Sequence, residues 1–183
     1  FRRLPADRPV AHTGNLLGKG YQELQKAWRN LRGDSNTVAF LVAFFCYNAG
    51  VQAVLFLAST FAEKELKFTT SGLILLILIL QIVAIGGATL FAKISGKKGN
   101  KFSLIIMLFI WTVICIVGYF VQTGLDFYFL AVAVGLVMGG IQSLSRSTYA
   151  KLLPQDTPDT ASYFSFYDVM DKLSTVIGTF TFG

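Results

Sequence analysis

GLVMGGIQSLSRSTYAKLLP, residues Gly135 to Pro154, is the stretch from which the rest of the chain can be organised. It opens as the apolar half of a membrane-length segment. Gly135, Gly139, Ser143 and Ser147 follow at intervals of four, which sets them on one face of a helix. Arg146 and Lys151 close the segment ahead of Pro154. A smooth stripe of small residues on a helix with a basic end suits close packing, or sliding, against another membrane helix.

Composition places that helix in a bilayer. Hydrophobic residues make up 54% of the 183 and charged residues 14%, where a soluble domain carries roughly 25% charge. Seventeen glycines fit as well, since glycine is commoner in membrane helices than in soluble ones. The formal charge of +6 could point to nucleic acid, but the basic residues flank apolar runs, so topology explains them better and no nucleic-acid partner is expected. The chain starts at Phe1 and stops at Gly183 inside an apolar run, without the basic-then-apolar order of a signal peptide. We expect an internal fragment of a longer membrane protein.

At about 20 apolar residues per crossing, five spans are expected: about 37–61, 71–94, 102–122, 127–150 and 162–183. Short connections make successive spans antiparallel. Residues 1–36 hold seven basic residues, Arg2, Arg3, Arg8, Lys19, Lys26, Arg29 and Arg32. Lys93, Lys97, Lys98 and Lys101 flank the second connection, and Arg146 and Lys151 the fourth. The other side has Lys64 and Lys67, offset by Glu63 and Glu65, and then Asp126. The positive-inside rule therefore puts the N-terminal segment and the 95–101 and 151–161 loops in the cytoplasm.

Within residues 1–36, Pro5, Pro9 and Gly14 suggest an extended linker that carries the one histidine, His12, at the surface. Tyr21, Leu24, Ala27, Trp28 and Leu31 then recur at threes and fours among charges. That pattern predicts an amphipathic helix at about 21–32, lying in the cytoplasmic interface, connecting two bundles, or doing both. Cys46 and Cys115 fall inside spans and serve as small apolar packing. No metal site, cofactor or enzymatic nucleophile–base pair is expected.

Chemistry is sought among polar residues at membrane depth. The first span carries Tyr47, Asn48 and Gln52, the last two on one face. The second has Gln81 and then Gly86–Gly87, and the fourth adds Gln142. The fifth is the most polar, with Tyr163, Ser165, Tyr167, Asp168, Asp171, Lys172, Ser174 and Thr175. Uncharged residues of this kind commonly act as interhelical glue worth roughly 0.6–2 kcal/mol. Ionisable ones mark solute or ion pathways by default. Asp168 and Lys172 have the i, i+4 order favoured for an ion pair, with Asp171 directed elsewhere. Arg146 lies near the inner membrane face as an anchor or gate contact.

The sequence GGIQSLSRS is similar to the tenth helix of major facilitator transporters of the Atg22-like group. YNAGVQ at Tyr47–Gln52 resembles that family's seventh helix, Gln81–Gly99 its eighth helix and basic loop, and Ser162–Gly183 its eleventh. Two departures stand out. The family often has an acid before the glycine of helix seven, where this chain has Ala49. The superfamily loop resembling Asp-Arg-x-Gly-Arg-Lys is here Gly96-Lys97-Lys98-Gly99-Asn100-Lys101, without the acid of a conformational latch. The resemblance implies an all-α membrane protein. Its five spans would be helices seven to eleven, within the C-terminal six-helix half of a major facilitator bundle.

The function implied is alternating-access transport of a small solute at a midplane site, with amino acids as a candidate cargo and a proton as a candidate coupling ion. The bilayer and the N-terminal half of the transporter are the expected partners, and a bacterial inner membrane the expected location. Tyr47, Asn48, Gln52, Tyr167, Asp168, Asp171 and Lys172 are the candidate binding or coupling residues. Gly135, Gly139, Gln142, Ser143, Arg146 and Ser147 are the candidate packing or gate residues. The alternative reading is a receptor or scaffold built on a transporter fold.

Overall fold

A computed structural model of the chain describes residues 16–153 and 160–182. The expectations for Pro5, Pro9, His12 and Gly14, and part of those for the 151–161 loop, lie outside the described residues. Six helices follow in order: α1 Leu16–Leu31, α2 Ser35–Lys64, α3 Thr70–Lys98, α4 Asn100–Gly118, α5 Gly124–Leu152 and α6 Thr160–Phe182. Four of them, α2 to α5, are long and apolar enough to cross a membrane. The sequence suggested five such spans. The 23 residues of α6 suffice in length, but its charged residues keep it below the same measure of apolarity.

Local chemistry fixes the helix starts. Asp34 caps α2, its carboxylate accepting from the N–H groups of Asn36 and Thr37 and from the Thr37 hydroxyl at 2.5 Å. Thr123 caps α5 through the Asp126 N–H and donates its hydroxyl to the Asp126 carboxylate. The loop expected at 95–101 shrinks to one residue. Gly99 alone separates α3 from α4, with φ +87°, a conformation that side-chain-bearing residues rarely adopt.

The bundle centres on α5, whose glycine face meets α3. A Cβ on Gly139 would overlap the Ala84 carbonyl, and one on Gly87 would overlap that of Leu136. Each helix thus supplies the gap for the other's backbone. Gly135 faces the Leu80 carbonyl in the same seam. The four-residue stripe is therefore split: Ser143 is exposed, and Ser147 lies 3.5 Å from the Asn100 amide. Gln81 on α3 is exposed as well.

Three buried clusters run along the bundle. The central one joins α2, α3, α4 and α5 through Val51, Phe91, Met107, Trp111 and Ile141. At the basic end, Ala27 and Leu31 of α1 pack with Leu41, Phe44, Tyr149, Tyr163 and Tyr167. Trp28 stacks on Phe166 at 5.7 Å, and Asn30 bonds the Tyr163 hydroxyl. Helix α1 is thus docked on the start of α6. At the far end, Ala62, Leu76, Val121 and Phe127 close the third cluster, with Phe68 set against Phe127 and Tyr128.

Asn100 gathers the basic end without a carboxylate. Its Oδ1 accepts from Ser95 at 2.5 Å and Lys151 at 2.9 Å, while its Nδ2 donates to Thr148 at 3.0 Å. One amide ties α3, α4 and α5 together.

Gly139→Ala should destabilise the full-length protein by roughly 1–3 kcal/mol through overpacking of the seam. Gly86→Ala, whose Cβ meets nothing within 4 Å, should be neutral or stabilising by up to about 1 kcal/mol. Thermal unfolding in detergent compares them. The Asp34 carboxyl sits below its ordinary range because the Thr37 hydroxyl and then the Asn36 N–H favour its charged form. Its capping contribution is therefore complete above the ordinary carboxylate range and lost as pH falls through the lowered value. Asp34→Ala should lower stability at neutral pH, and the difference from the parent should vanish in acid.

Candidate solute cavity

Helices α2, α5 and α6 enclose a cavity of about 470 Å³. From α2 come Phe44, Asn48 and Gln52, and from α6 Tyr167, Asp171 and Lys172. Helix α5 contributes Ile141, Gln142, Ser143, Ser145 and Arg146. The cavity lies near the middle of the helices: Asp171 is about 16 Å along the axis from Thr160 at 1.5 Å per residue. A larger space of about 760 Å³ between α2, α3, α4 and α5 is walled almost wholly by hydrocarbon and offers no charged group.

The polar groups converge in pairs. The buried Asn48 donates from Nδ2 to Asp171 Oδ1 at 3.0 Å and to Ser174 Oγ at 2.6 Å. Ser174 returns its own proton to the Asp171 carbonyl. Four residues after Ser174 along α6, Gly178 lets the helix press against the Ala49 carbonyl, where a Cβ would not fit. The close α2–α6 crossing thus holds the amide against the acid. Ala49 is taken up by that crossing.

Arg146 reaches from α5 to α6 and pairs with Asp168 through Nη2 and Oδ1. Its guanidinium also lies over the Tyr167 ring, 5.8 Å from the centroid. The expected Asp168–Lys172 pair is therefore replaced. The i, i+4 spacing permits it, but the rigid fork of an arginine on the facing helix meets Asp168 instead. Lys172 approaches its neighbour Asp171, Nζ to Oδ2 at 3.5 Å, so Asp171 is also not directed away from it. The side chains of Arg146 and Asp168 are 58% and 53% exposed, Asp171 is 32% exposed and Lys172 81%.

Aromatic rings floor the cavity on the basic side. Tyr167 stacks on Phe44 at 4.5 Å and on Tyr149 at 5.0 Å, and Tyr149 donates to the Tyr163 carbonyl. Ser145 donates to the Ile141 carbonyl at 2.5 Å. The Tyr47–Ser145 bond of 2.6 Å must then use the tyrosine proton. Tyr47 thus sits at the α2–α5 contact beside the cavity, not on its wall.

Of the candidate binding residues, Asn48, Gln52, Tyr167, Asp171 and Lys172 line the cavity. Asp168 lies at its edge, in the pair with Arg146. Of the packing or gate candidates, Gln142, Ser143 and Arg146 line it, whereas Gly135, Gly139 and Ser147 do not. Phe44, Ser145 and Ile141 were not legible as cavity residues, because only the placement of the facing helices selects them. Ser174 stood out in the sequence only as one polar residue among many in the last span. Among the described residues no group of three or more metal-ligand side chains occurs.

A family model described as "Vacuole effluxer Atg22 like" matches residues 1–183. The chain belongs to the Atg22-like family. It is 29% identical over 164 residues to a protein of Bacillus subtilis (strain 168) called uncharacterized MFS-type transporter YxiO, covering 90% of this chain and 38% of that relative. It is also 29% identical over 184 residues to autophagy-related protein 22 of Kluyveromyces lactis, covering 94% and 37%. The protein of the same name from Yarrowia lipolytica is 28% identical over 186 residues, covering 97% and 31%. The chain thus spans 31–38% of the length of these curated relatives. No solved structure matches it. This Atg22-like chain is part of a multi-pass, all-helical protein of the MFS type.

Reversing the charge of Arg146 or Asp168 alone should destabilise the α5–α6 contact, while the exchange Arg146→Asp with Asp168→Arg should recover most of the loss. A surface pair of this exposure is worth about 0.2–1 kcal/mol. Unfolding of the three variants in the full-length protein measures it.

Proposed function

We propose that this chain supplies helices seven to eleven of a secondary active transporter. The transporter moves a small solute carrying both signs of charge, such as an amino acid, by alternating access. The single observation that carries this reading is the cavity between α2, α5 and α6. It presents a carboxylate, an ammonium, a guanidinium and three amides around the middle of helices otherwise built of hydrocarbon. Charges at that depth are costly unless they serve a solute or ion. A zwitterion can offer its ammonium to Asp171 and its carboxylate to Lys172 or Arg146, so that neither end enters the bilayer unpaired.

In this reading α6 also crosses the membrane, with its polar side turned to α2, α5 and the cavity. The basic end faces the cytoplasm, where the positive-inside rule puts Lys97, Lys98, Lys101 and Lys151. The aromatic floor of Phe44, Tyr149 and Tyr167 then lies between the cavity and the cytoplasm, and Arg146–Asp168 ties two inner helix halves together above it. The missing N-terminal half closes the other wall. The family description as a vacuole effluxer supports movement of a solute across a membrane, and a bacterial cytoplasmic membrane is the location we infer.

Full-length protein in proteoliposomes should take up labelled amino acids from a mixture. Asp168→Asn, Asp171→Asn and Lys172→Met together should reduce uptake to the level of protein-free vesicles. Unchanged uptake in the triple variant would remove the cavity from the mechanism. Saturable binding without flux in the parent would replace transport with a receptor role.

A further inference from the structure

Most polar side chains around the cavity are already bonded within the protein. Asn48 is held by Asp171 and Ser174, Ser145 by Tyr47 and the Ile141 carbonyl, and Arg146 by Asp168. Three that line it differ: Gln52 on α2, and Gln142 and Ser143 on α5, bond to none of the described residues. An amide at membrane depth ordinarily ties one helix to another or serves a solute. Neither glutamine makes such a tie among the described residues. Gln142 and Ser143 are exposed, and Gln52 is half-buried.

The position of the two amides along their helices is the second observation. Gln52 stands four residues after Asn48 on α2, and Gln142 four before Arg146 on α5. Helices α2 and α5 run in opposite directions, with Leu41 near Tyr149 at one end and Ala62 near Phe127 at the other. Both steps therefore lead away from the basic end and from the aromatic floor, each by about 6 Å. Each amide sits one turn beyond the polar group that its helix commits to α6. The charged groups Asp171 and Lys172 are on α6 itself, so the amides offer hydrogen bonds from the two facing walls.

We propose that Gln52 and Gln142 select the solute by its side chain, favouring an uncharged group with both a donor and an acceptor, a carboxamide foremost, over hydrocarbon of the same shape. This rests on the transport reading above, in which Asp171 and Lys172 take the solute's two charged ends. Each glutamine has a carbonyl acceptor and two N–H donors, so a carboxamide can both donate to it and accept from it. A hydrocarbon side chain would strip water from both amides and return no bond. A site that hydrogen-bonds its solute rejects the analogue lacking the group for that reason. A carboxylate side chain has no donor and brings a second anion to a site that already carries Asp171.

The test uses the full-length protein and its Gln52→Met, Gln142→Met and Gln81→Met variants. Methionine keeps the length and helix propensity of glutamine without the amide, and Gln81 is an exposed amide on α3 outside the cavity. Proteoliposome uptake of labelled glutamine against methionine, and of asparagine against leucine, compares solutes of matched shape. Thermal shifts of the same proteins in detergent report binding without flux. The parent should favour the carboxamide of each pair by roughly tenfold in kcat/KM. Gln52→Met and Gln142→Met should each cut that preference severalfold by raising KM for the carboxamide, with methionine and leucine uptake near the parent's. Gln81→Met should keep it. A parent that carries both members of each pair equally, or variants that slow all four solutes alike, would overturn the selection and leave transport standing. Stabilisation by glutamine over methionine without flux would keep the selection and remove transport. Neither stabilisation nor uptake with any of the four would remove both.

Discussion

Backbone contact between α3 and α5 is the constraint on which the other placements rest. In a bilayer no hydrophobic force draws one apolar helix to another, so association depends on how closely surfaces fit. Gly87 and Gly139 let each helix lie against a carbonyl of the other, Leu136 and Ala84 in turn. Such a seam fixes rotation as well as distance. With Gly135 and Gly139 committed to α3, the face of α5 carrying Gln142, Ser145 and Arg146 is left toward α2 and α6. The apolar lock on one side of the helix thereby aims the polar side.

A second, looser crossing completes the cavity. Helix α6 meets α2 where Gly178 faces the Ala49 carbonyl and Asn48 meets Asp171 and Ser174. One crossing is held by van der Waals fit without a polar bond at its glycines. The other combines a glycine contact with hydrogen bonds to a charged group. A packed seam resists change until it is broken, whereas a hydrogen bond to a carboxylate changes strength when the carboxylate does. The bundle thus contains one helix pair held by backbone fit and one held by backbone fit together with hydrogen bonds. Docking of α1 through Trp28 and Phe166 adds a contact to the α2–α6 pair at its basic end.

Much of the helix layout was legible because hydropathy over twenty residues is a strong signal and short connections leave little choice of direction. The join at Gly99 was less so: the lysines that mark a loop by charge also extend a helix well, and α3 runs through Lys97 and Lys98 to a one-residue break. Side-chain partners were the least legible. Spacing along α6 favoured Asp168 with Lys172, yet spacing only describes one helix, and the deciding partner, Arg146, is brought by the α5–α6 packing. The small-residue stripe gave a direction for α5 but not the helix that receives it. Gly86–Gly87 was the matching signal, and only Gly87 is used for the close approach. Asn48 and Gln52 could be set on one face by period alone, and they do line the same cavity.

The family resemblance puts an acid at two positions, Gly96 and Ala49, where this chain has none, and the structure fills the two differently. At the α3–α4 join, where the acid position is Gly96, the amide of Asn100 accepts from Ser95 and Lys151 and donates to Thr148. An amide has both a donor and an acceptor but no charge to lose, so this junction is held in a way that protonation cannot release. On α2, where the acid position is Ala49, a carboxylate is still found within one residue's reach, but it comes from α6 as Asp171 and meets Asn48. The polar fastening at the basic end is thus an uncharged amide, and the one at the cavity sets an amide against a carboxylate. That division leaves the charged contact at the cavity and the uncharged tie at the edge of the α3–α5 frame.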